Sequence, residues 1–379
     1  MSFQGIRGVF KQNYNLKHLT WLKVGGSADI FFKPEDIEDL KTFLKENNNR
    51  FPVTVIGAGS NLIIRDKGIE GVVIKLGRNF TDIQFADNNL IAAGAGCLNS
   101  SLAKFCLVNA IAGFEFLIGI PGTVGGGVAM NAGSYGCEFK DIVASVEVLD
   151  KEGNLVILDI DQIGFSYRAN SLPKDLIFTR VFFKAKNKED INKIKQKMDE
   201  ISAIRSSSQP VSEKTGGSTF ANPEGFRAWE LIDKAGLRKT RVGGACMSEM
   251  HCNFMINANN ATATDMENLG ELVKQKVKEN SGIELPFSYD VRHTQSGKIA
   301  FSHKALQSEN NSNIYSATLF PNDILPSEYE LRLYFHDNTS SAFEKIWKQL
   351  LASAIFLSIV VTSFGYTVVT MNRQKKISD

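Results

Sequence analysis

Residues 119–136 read GIPGTVGGGVAMNAGSYG. Seven glycines in eighteen positions remove side chains from one face of the segment. What remains is a row of backbone amides, against which a pyrophosphate and a planar ring can lie. A flexible linker is also glycine-rich, but linkers are polar. Ile120, Val124, Val128 and Met130 are interleaved here, so this loop must pack. A shorter segment, VIGAGSNL at 55–62, puts Gly57 and Gly59 directly after an apolar strand, where bare N–H groups can approach an anion closely. Taken alone it is ambiguous. It fails the dinucleotide GxGxxG pattern and lacks the lysine of the GxxxxGK[ST] loop, and a plain strand-turn fits it about as well.

Around these loops, short β-branched runs at 30–32, 53–56, 71–75, 90–93, 145–149, 155–158 and 177–183 are broken by glycine and read as strands. Helices are expected over 34–47, with Ile37, Leu40 and Leu44 at helical spacing, and over 100–109, 226–235 and 264–279. A charged stretch at 187–197 leads into another helix reaching about Ile204 and marks a boundary between lobes. The fold class is α+β.

The chain has 379 residues and is 43% hydrophobic, enough for two or three packed domains that can bury a large cofactor. Its net charge of +2 gives no field to steer a polyanion, so nucleic acid is not expected as a partner. Five cysteines, Cys97, Cys106, Cys137, Cys246 and Cys252, form no CxxC pair, so neither a disulfide framework nor a metal site is expected. No signal peptide is legible in the first twenty residues, and the N-terminal part is expected in the cytoplasm.

Six blocks together resemble the UDP-N-acetylenolpyruvoylglucosamine reductase family. They are TWLKVGG (20–26), VIGAGSNL (55–62), GIPGTVGGGVAMNAG (119–133), SYRANS (166–171), TGGSTFANP (215–223) and SEMHCNFMIN (248–257). The resemblance covers residues 14 to 285. It implies a two-lobed FAD-binding part of the vanillyl-alcohol-oxidase (PCMH) type, subdomains 1–84 and 85–188, and a smaller α+β substrate domain, 189–285. It implies non-covalent FAD, with NADPH as reductant and UDP-N-acetylglucosamine enolpyruvate as the substrate reduced to UDP-N-acetylmuramate, in a monomer. A different oxidase of the same flavin fold would carry a covalent flavin, but no His or Cys sits within the glycine loops at a spacing for such a link, although Cys137 directly follows one.

By the same resemblance the flavin contacts fall on Gly57, Ala58, Gly59, Ser60, Asn61 and Leu62, and on Gly119, Pro121, Gly122, Thr123, Gly125, Gly126, Ala129, Asn131 and Gly133. Ser218 matches the proton donor. A serine hydroxyl is a poor acid, so its pocket must stabilise charge on either side of the transfer. Arg168 matches the arginine that holds the substrate carboxylate, a role suited to its fixed charge and forked donors. Tyr167 and Asn222 match positions near the substrate. Asn170 stands where serine is common. His251 titrates near neutrality but is read as structural, not as a base.

The match breaks at the end. The family closes with GxxLxxEV, and its glutamate faces the serine. Here Gly282, Ile283 and Leu285 fit, but position 288 is serine in GIELPFSYDVR. Glu284 is one residue before the leucine, on the wrong face of a strand. Asp290 would need a two-residue bulge. The expectation is a folded flavoprotein with impaired turnover; the alternative is a catalytically inactive flavin or UDP-sugar binding shell tethered to a membrane.

Residues 286–348 read as an unrelated polar segment. The uncharged run 350–371 suggests a transmembrane helix over 349–371, followed by a basic tail, 372–379. This tail is weakly similar to the membrane-spanning end of a sensor histidine kinase input region. Arg373, Lys375 and Lys376 would stay on the cytoplasmic side, as would the reductase part, and one crossing cannot leave both there. Either Lys345 and Lys348 outweigh them and set the orientation, or the segment is a misjoined fragment, and a fusion is the preferred account.

Overall fold

The computed structural model describes residues 3–87, 89–185 and 188–288, and the backbone of strands at 290–292, 329–334 and 368–373. Two units separate in it, Met1–Phe301 and Ser302–Asp379.

The first unit begins with a four-stranded sheet. It contains β1 (Val9–Asn15), β2 (Ser27–Lys33), β3 (Val53–Ile56) and β5 (Ile69–Lys75), in the order β1-β2-β5-β3, with α1 (Ile37–Asn47) and the short β4 (Leu62–Ile64) between them in the chain. The helix is capped by Asp36, whose carboxylate accepts from the N–H of Asp39, and it ends at Asn48 in the left-handed conformation, φ 40°. It therefore starts at Ile37, three residues later than its apolar spacing suggests. One sheet face buries Phe32, Val72 and Ile74 against Leu40, Phe43 and Leu44 of α1, and the other buries Phe31, Ile56 and Val73 against Leu16 and Ile64. β2, β5 and β3 run parallel, so the turn after β3 emerges at the carboxyl end of the parallel strands, where α/β sheets offer ligand crevices.

The second sheet, in the order β11-β10-β12-β7-β6, is antiparallel. In chain order its region holds β6 (Ile83–Ala86), β7 (Leu90–Gly94), α2 (Asn99–Val108), α3 (Val124–Ala129), the two-residue pair β8 (Gly133–Ser134) and β9 (Cys137–Glu138), β10 (Val143–Leu149), β11 (Leu155–Asp159), α4 (Ile160–Ile163) and β12 (Ile177–Lys184). Its core joins Ile91, Val146 and Val181 to Leu102 of α2, Val124 and Val128 of α3, and Phe139. The glycine-rich segment is thus not loop throughout. Thr123 caps a six-residue helix in its middle, accepting from the N–H of Gly126.

Next come α5 (Ile191–Ser208), β13 (Thr215–Ser218), α6 (Ala228–Lys234), β14 (Arg241–Val242), β15 (Ala245–Met247), β16 (Phe254–Asn257), α7 (Ala263–Ser281) and β17 (Asp290–Arg292). β13, β16, β15 and β14 form a four-stranded sheet on which Met266, Leu269 and Val273 of α7 pack. Leu22, Val24 and Ile63 join that core. The attachment is also polar: Arg65 holds Glu267 through two nitrogens, 2.7 to 3.0 Å away, and the Asp66 carboxylate accepts from the first backbone N–H groups of α7, Ala263 and Thr264, at 2.9 Å. The backbone of β17 pairs in parallel with β4.

In the second unit, β18 (Tyr329–Tyr334) pairs antiparallel with β19 (Val368–Arg373). The helix expected over 349–371 is corrected at its end, because 368–371 are extended: Val368, Val369 and Thr370 are β-branched, and their backbone groups bond a partner strand. Residues 349–367 lie outside the described residues, as do 289, 293–328 and 335–348 of the polar segment and 374–379 of the basic tail. Among the described residues no helix is long and apolar enough to cross a membrane.

Candidate active site

The two glycine segments, some sixty residues apart in the chain, face each other. Ser60 Oγ donates to the Pro121 carbonyl at 3.2 Å, and Asn61 Nδ2 points to Met130 Sδ at 3.7 Å. A Cβ on Gly57 would come within 2.5 Å of Thr123 Oγ1, and one on Gly59, with φ at +69°, within 2.0 Å of the Leu19 carbonyl. Space therefore excludes a side chain at both positions, and at Gly59 the backbone conformation excludes one as well. Gly126 and Ala129, by contrast, lie on the exposed face of α3, and a Cβ on Gly126 would meet nothing closer than Thr123 Oγ1 at 3.3 Å. Behind the second segment, buried Asn99 donates to the Ile120 carbonyl at 3.2 Å while its Oδ1 accepts no hydrogen bond.

The first turn is held from behind. Lys75, paired with Ile56 across the parallel ladder, donates from Nζ to the Gly57 carbonyl at 2.6 Å. On the other side, the Trp21 N–H donates to the Gly59 carbonyl at 2.9 Å. The segment TWLKVGG thus acts as a brace for the turn.

Ser218 ends β13, opposite Phe254, and is exposed. The residues after it are locked: Asn253 exchanges two 2.9 Å side-chain bonds with the backbone of Phe220, and Thr219 Oγ1 accepts from the Met255 N–H at 3.0 Å. This strand joins the first glycine turn through position 288. The Ser288 N–H donates to the Thr219 carbonyl at 2.8 Å, and the Ser288 carbonyl accepts from Asn61 Nδ2 at 3.0 Å.

Arg168 approaches the second glycine segment. It sits in the left-handed region, φ 54°, and its guanidinium donates to the carbonyls of Gly133 at 2.7 Å and Asn131 at 3.4 Å, with the exposed Tyr167 ring 5.3 Å away. Asn131, fully buried and also left-handed, donates to the Ser166 carbonyl at 2.9 Å. Asn170 donates to the Ala129 carbonyl at 2.8 Å, at the end of α3. The asparagine that departs from the family pattern therefore closes a helix terminus. Asn222 is exposed, and its Oδ1 accepts from the Ala228 N–H, the first of α6.

His251 accepts from the Asn253 N–H at Nδ1, 3.3 Å, and packs on Phe254. Burial, with Arg238 nearby, pushes its imidazolium below the usual range, so it stays neutral as an acceptor. Burial raises Cys97 to about 11, which leaves it inert near neutrality. Glu284 is exposed and paired with Lys278 at 2.5 Å. Among the described residues no group of His, Cys, Asp and Glu is placed to hold a metal. Lys75 and Asn99 belong to no recognisable motif; only the folded sheet brings them to the glycine turns.

A parallel-stranded lobe, an antiparallel sheet and two opposed glycine turns define a flavoprotein of the FAD-binding PCMH type, and residues 28–159 match the model of the FAD binding domain. Residues 209–290 match the UDP-N-acetylenolpyruvoylglucosamine reductase C-terminal domain. The chain is 63% identical over 280 residues to the reductase of that name from Rickettsia rickettsii (strain Sheila Smith), covering 74% of this chain and 94% of the relative. It is 61% identical over 285 residues to the one from Rickettsia bellii (strain RML369-C), covering 75% and 94%. The crystal structure of the Thermus caldophilus reductase superposes with a TM-score of 0.65 at 34% identity, over 76% of this chain and 99% of that one. The chain belongs to the UDP-N-acetylenolpyruvoylglucosamine reductase family.

Proposed function

We infer that this protein reduces the enolpyruvyl group of UDP-N-acetylglucosamine enolpyruvate with NADPH, giving UDP-N-acetylmuramate for peptidoglycan synthesis. The observation that carries the reading is the junction of both glycine turns with the strand ending at Ser218, through Asn61 and residue 288. We assign the FAD contacts to Gly57, Ala58, Gly59, Ser60, Asn61 and Leu62 of the first turn. Gly119, Pro121, Gly122, Thr123, Gly125, Gly126, Ala129, Asn131 and Gly133 would supply those of the second, where the glycines leave backbone amides open to a dinucleotide. The chemistry that FAD would supply there, when bound and with NADPH as reductant, is hydride for the substrate double bond.

The protein's own part is placement and proton supply. The Arg168 guanidinium holds the substrate carboxylate and stabilises the charge that develops next to it; five N–H donors leave it capacity beyond the two backbone carbonyls it now meets. Ser218 Oγ gives a proton to the carbon adjacent to the one that receives hydride. Tyr167 and Asn222 flank the substrate. With serine at position 288, the carboxylate that would help polarise the intermediate is missing, and turnover is slow but not abolished. The resemblance across both glycine turns and the C-terminal domain favours this reductase over an inert membrane-tethered shell. We assign subdomains 1–84 and 85–188 to FAD and 189–285 to the UDP-sugar.

Anaerobic bleaching tests the reading. Purified yellow protein loses its flavin colour on NADPH addition and regains it when the enolpyruvyl substrate is supplied. Colourless, folded protein that takes up no added FAD defeats it. Membrane contact through the uncharged run from 350 onward rests on composition alone, and detergent-phase partition of the full chain tests it.

A further inference from the structure

The turn GAGSN at 57–61 lacks the lysine that accompanies phosphate in other glycine loops. We propose that Lys75 supplies it from the neighbouring strand: its ammonium both fixes the Gly57 peptide and pairs with the diphosphate of the dinucleotide that the turn cradles.

Three observations support this. First, parallel pairing of β3 with β5 sets Lys75 beside Ile56, the last residue before the turn, and Nζ reaches the Gly57 carbonyl at 2.6 Å. That contact uses one of three ammonium N–H groups. It also orients the peptide plane from which the following amides project. Second, the ammonium is half-buried beside a cavity of about 430 Å³ that Lys11, Lys33 and Arg78 also line, and no carboxylate is among its lining residues. Burial and the charge of Lys33 hold the Lys75 amine below its ordinary range, the state of a cation with no counter-ion. An anion at the turn removes that penalty. Third, the direction is right. The Asn61 end of the turn is bonded to residue 288 and, through it, to the Ser218 strand. The Gly57 end is its opposite end, so a dinucleotide with its ring toward Ser218 runs its phosphates toward Lys75.

This inference rests on the FAD reading and predicts a role confined to the phosphates. Full-length wild-type, Lys75→Met and Lys75→Arg chains are compared for release of FAD from the holoprotein on dilution, read by recovery of flavin fluorescence at two salt concentrations. The flavin-released chains are then titrated with riboflavin, which has the ring but no phosphate. Lys75→Met is expected to weaken FAD by about ten- to hundredfold and to flatten the salt dependence. It leaves riboflavin affinity unchanged, and Lys75→Arg recovers most of the loss. Equal losses for FAD and riboflavin in Lys75→Met overturn the proposal, since they mark a collapsed turn, and so does undiminished FAD affinity. Failure of the wild-type chain itself to hold FAD defeats the flavin reading and is thereby told apart.

Discussion

The backbone N–H of Ser288 donates to the carbonyl of Thr219 at 2.8 Å, which sets position 288 beside the strand that ends at Ser218. The Phe220 and Phe287 rings, with centroids 5.0 Å apart, hold the same pairing. The backbone at 288 is therefore tied where the family's glutamate is expected, although the side chain is a hydroxyl. Restoring the carboxylate by Ser288→Glu is expected to raise kcat by about a hundredfold or more, because it supplies charge stabilisation at a preorganised position. Steady-state NADPH oxidation with the enolpyruvyl substrate measures it. An unchanged kcat in a folded, yellow variant means that the missing carboxylate is not what limits turnover.

Gly59 has φ +69°, and a Cβ there would lie 2.0 Å from the Leu19 carbonyl. Gly59→Ala must pay the left-handed cost of about 1–2 kcal/mol and displace the brace at Leu19–Trp21 as well. The expected outcome is a lower melting temperature and loss of bound flavin on gel filtration, seen as a fall in the flavin-to-protein absorbance ratio. A variant that keeps wild-type flavin content contradicts the cradle geometry.

Among the described residues, the hydrogen bonds of the Arg168 guanidinium go to the carbonyl oxygens of Gly133 and Asn131. Arg168→Ala is expected to lower kcat/KM by about a hundredfold to a thousandfold while the visible flavin spectrum persists, because a charged donor to the substrate is lost and the glycine segment keeps its Asn131–Ser166 and Asn170–Ala129 bonds. Arg168→Lys, which keeps the charge without the fork, recovers only part. Wild-type kinetics in Arg168→Ala remove this residue from the site.

His251 is held neutral by burial and by the N–H it accepts from Asn253. Its folded pKa lies below the ordinary value of about 6.5, so on acidification the unfolded chain takes up the proton first. Stability contributed by the neutral ring is full above that value and declines as pH falls from it toward the folded pKa. The melting temperature is expected to drop as pH falls below about 6.5, and less steeply in His251→Asn. Identical slopes for both proteins would assign the acid sensitivity to other groups.

The local chemistry was legible in the chain itself. Glycine density interleaved with Val124, Val128 and Met130 marked a packed cradle, and β-branched runs marked most strands of the first two sheets, because these signals depend on neighbours within a few residues. Less of the third sheet could be read. Its strands β14 and β15 are two and three residues long and take their conformation from pairing with one another and with β16. The helix inside the glycine segment was also hidden, since glycine has poor helix propensity and α3 forms through the Thr123 cap and burial of Val124 and Val128. At 368–371 an uncharged run suited a membrane helix, yet strand pairing decided its form.

The sequence by itself determined the family, the two glycine segments and the serine at 288, and it singled out Ser218 and Arg168 for test, because each is marked by residue type within a short motif. Tertiary structure alone decided that the turns oppose each other, that Asn61 and Ser288 stitch the first turn to the Ser218 strand, and that Lys75 stands behind Gly57. Those relations join residues from 18 to 227 positions apart. Only the ladders and cores of the folded chain bring them within hydrogen-bonding reach, and local propensity carries no record of them.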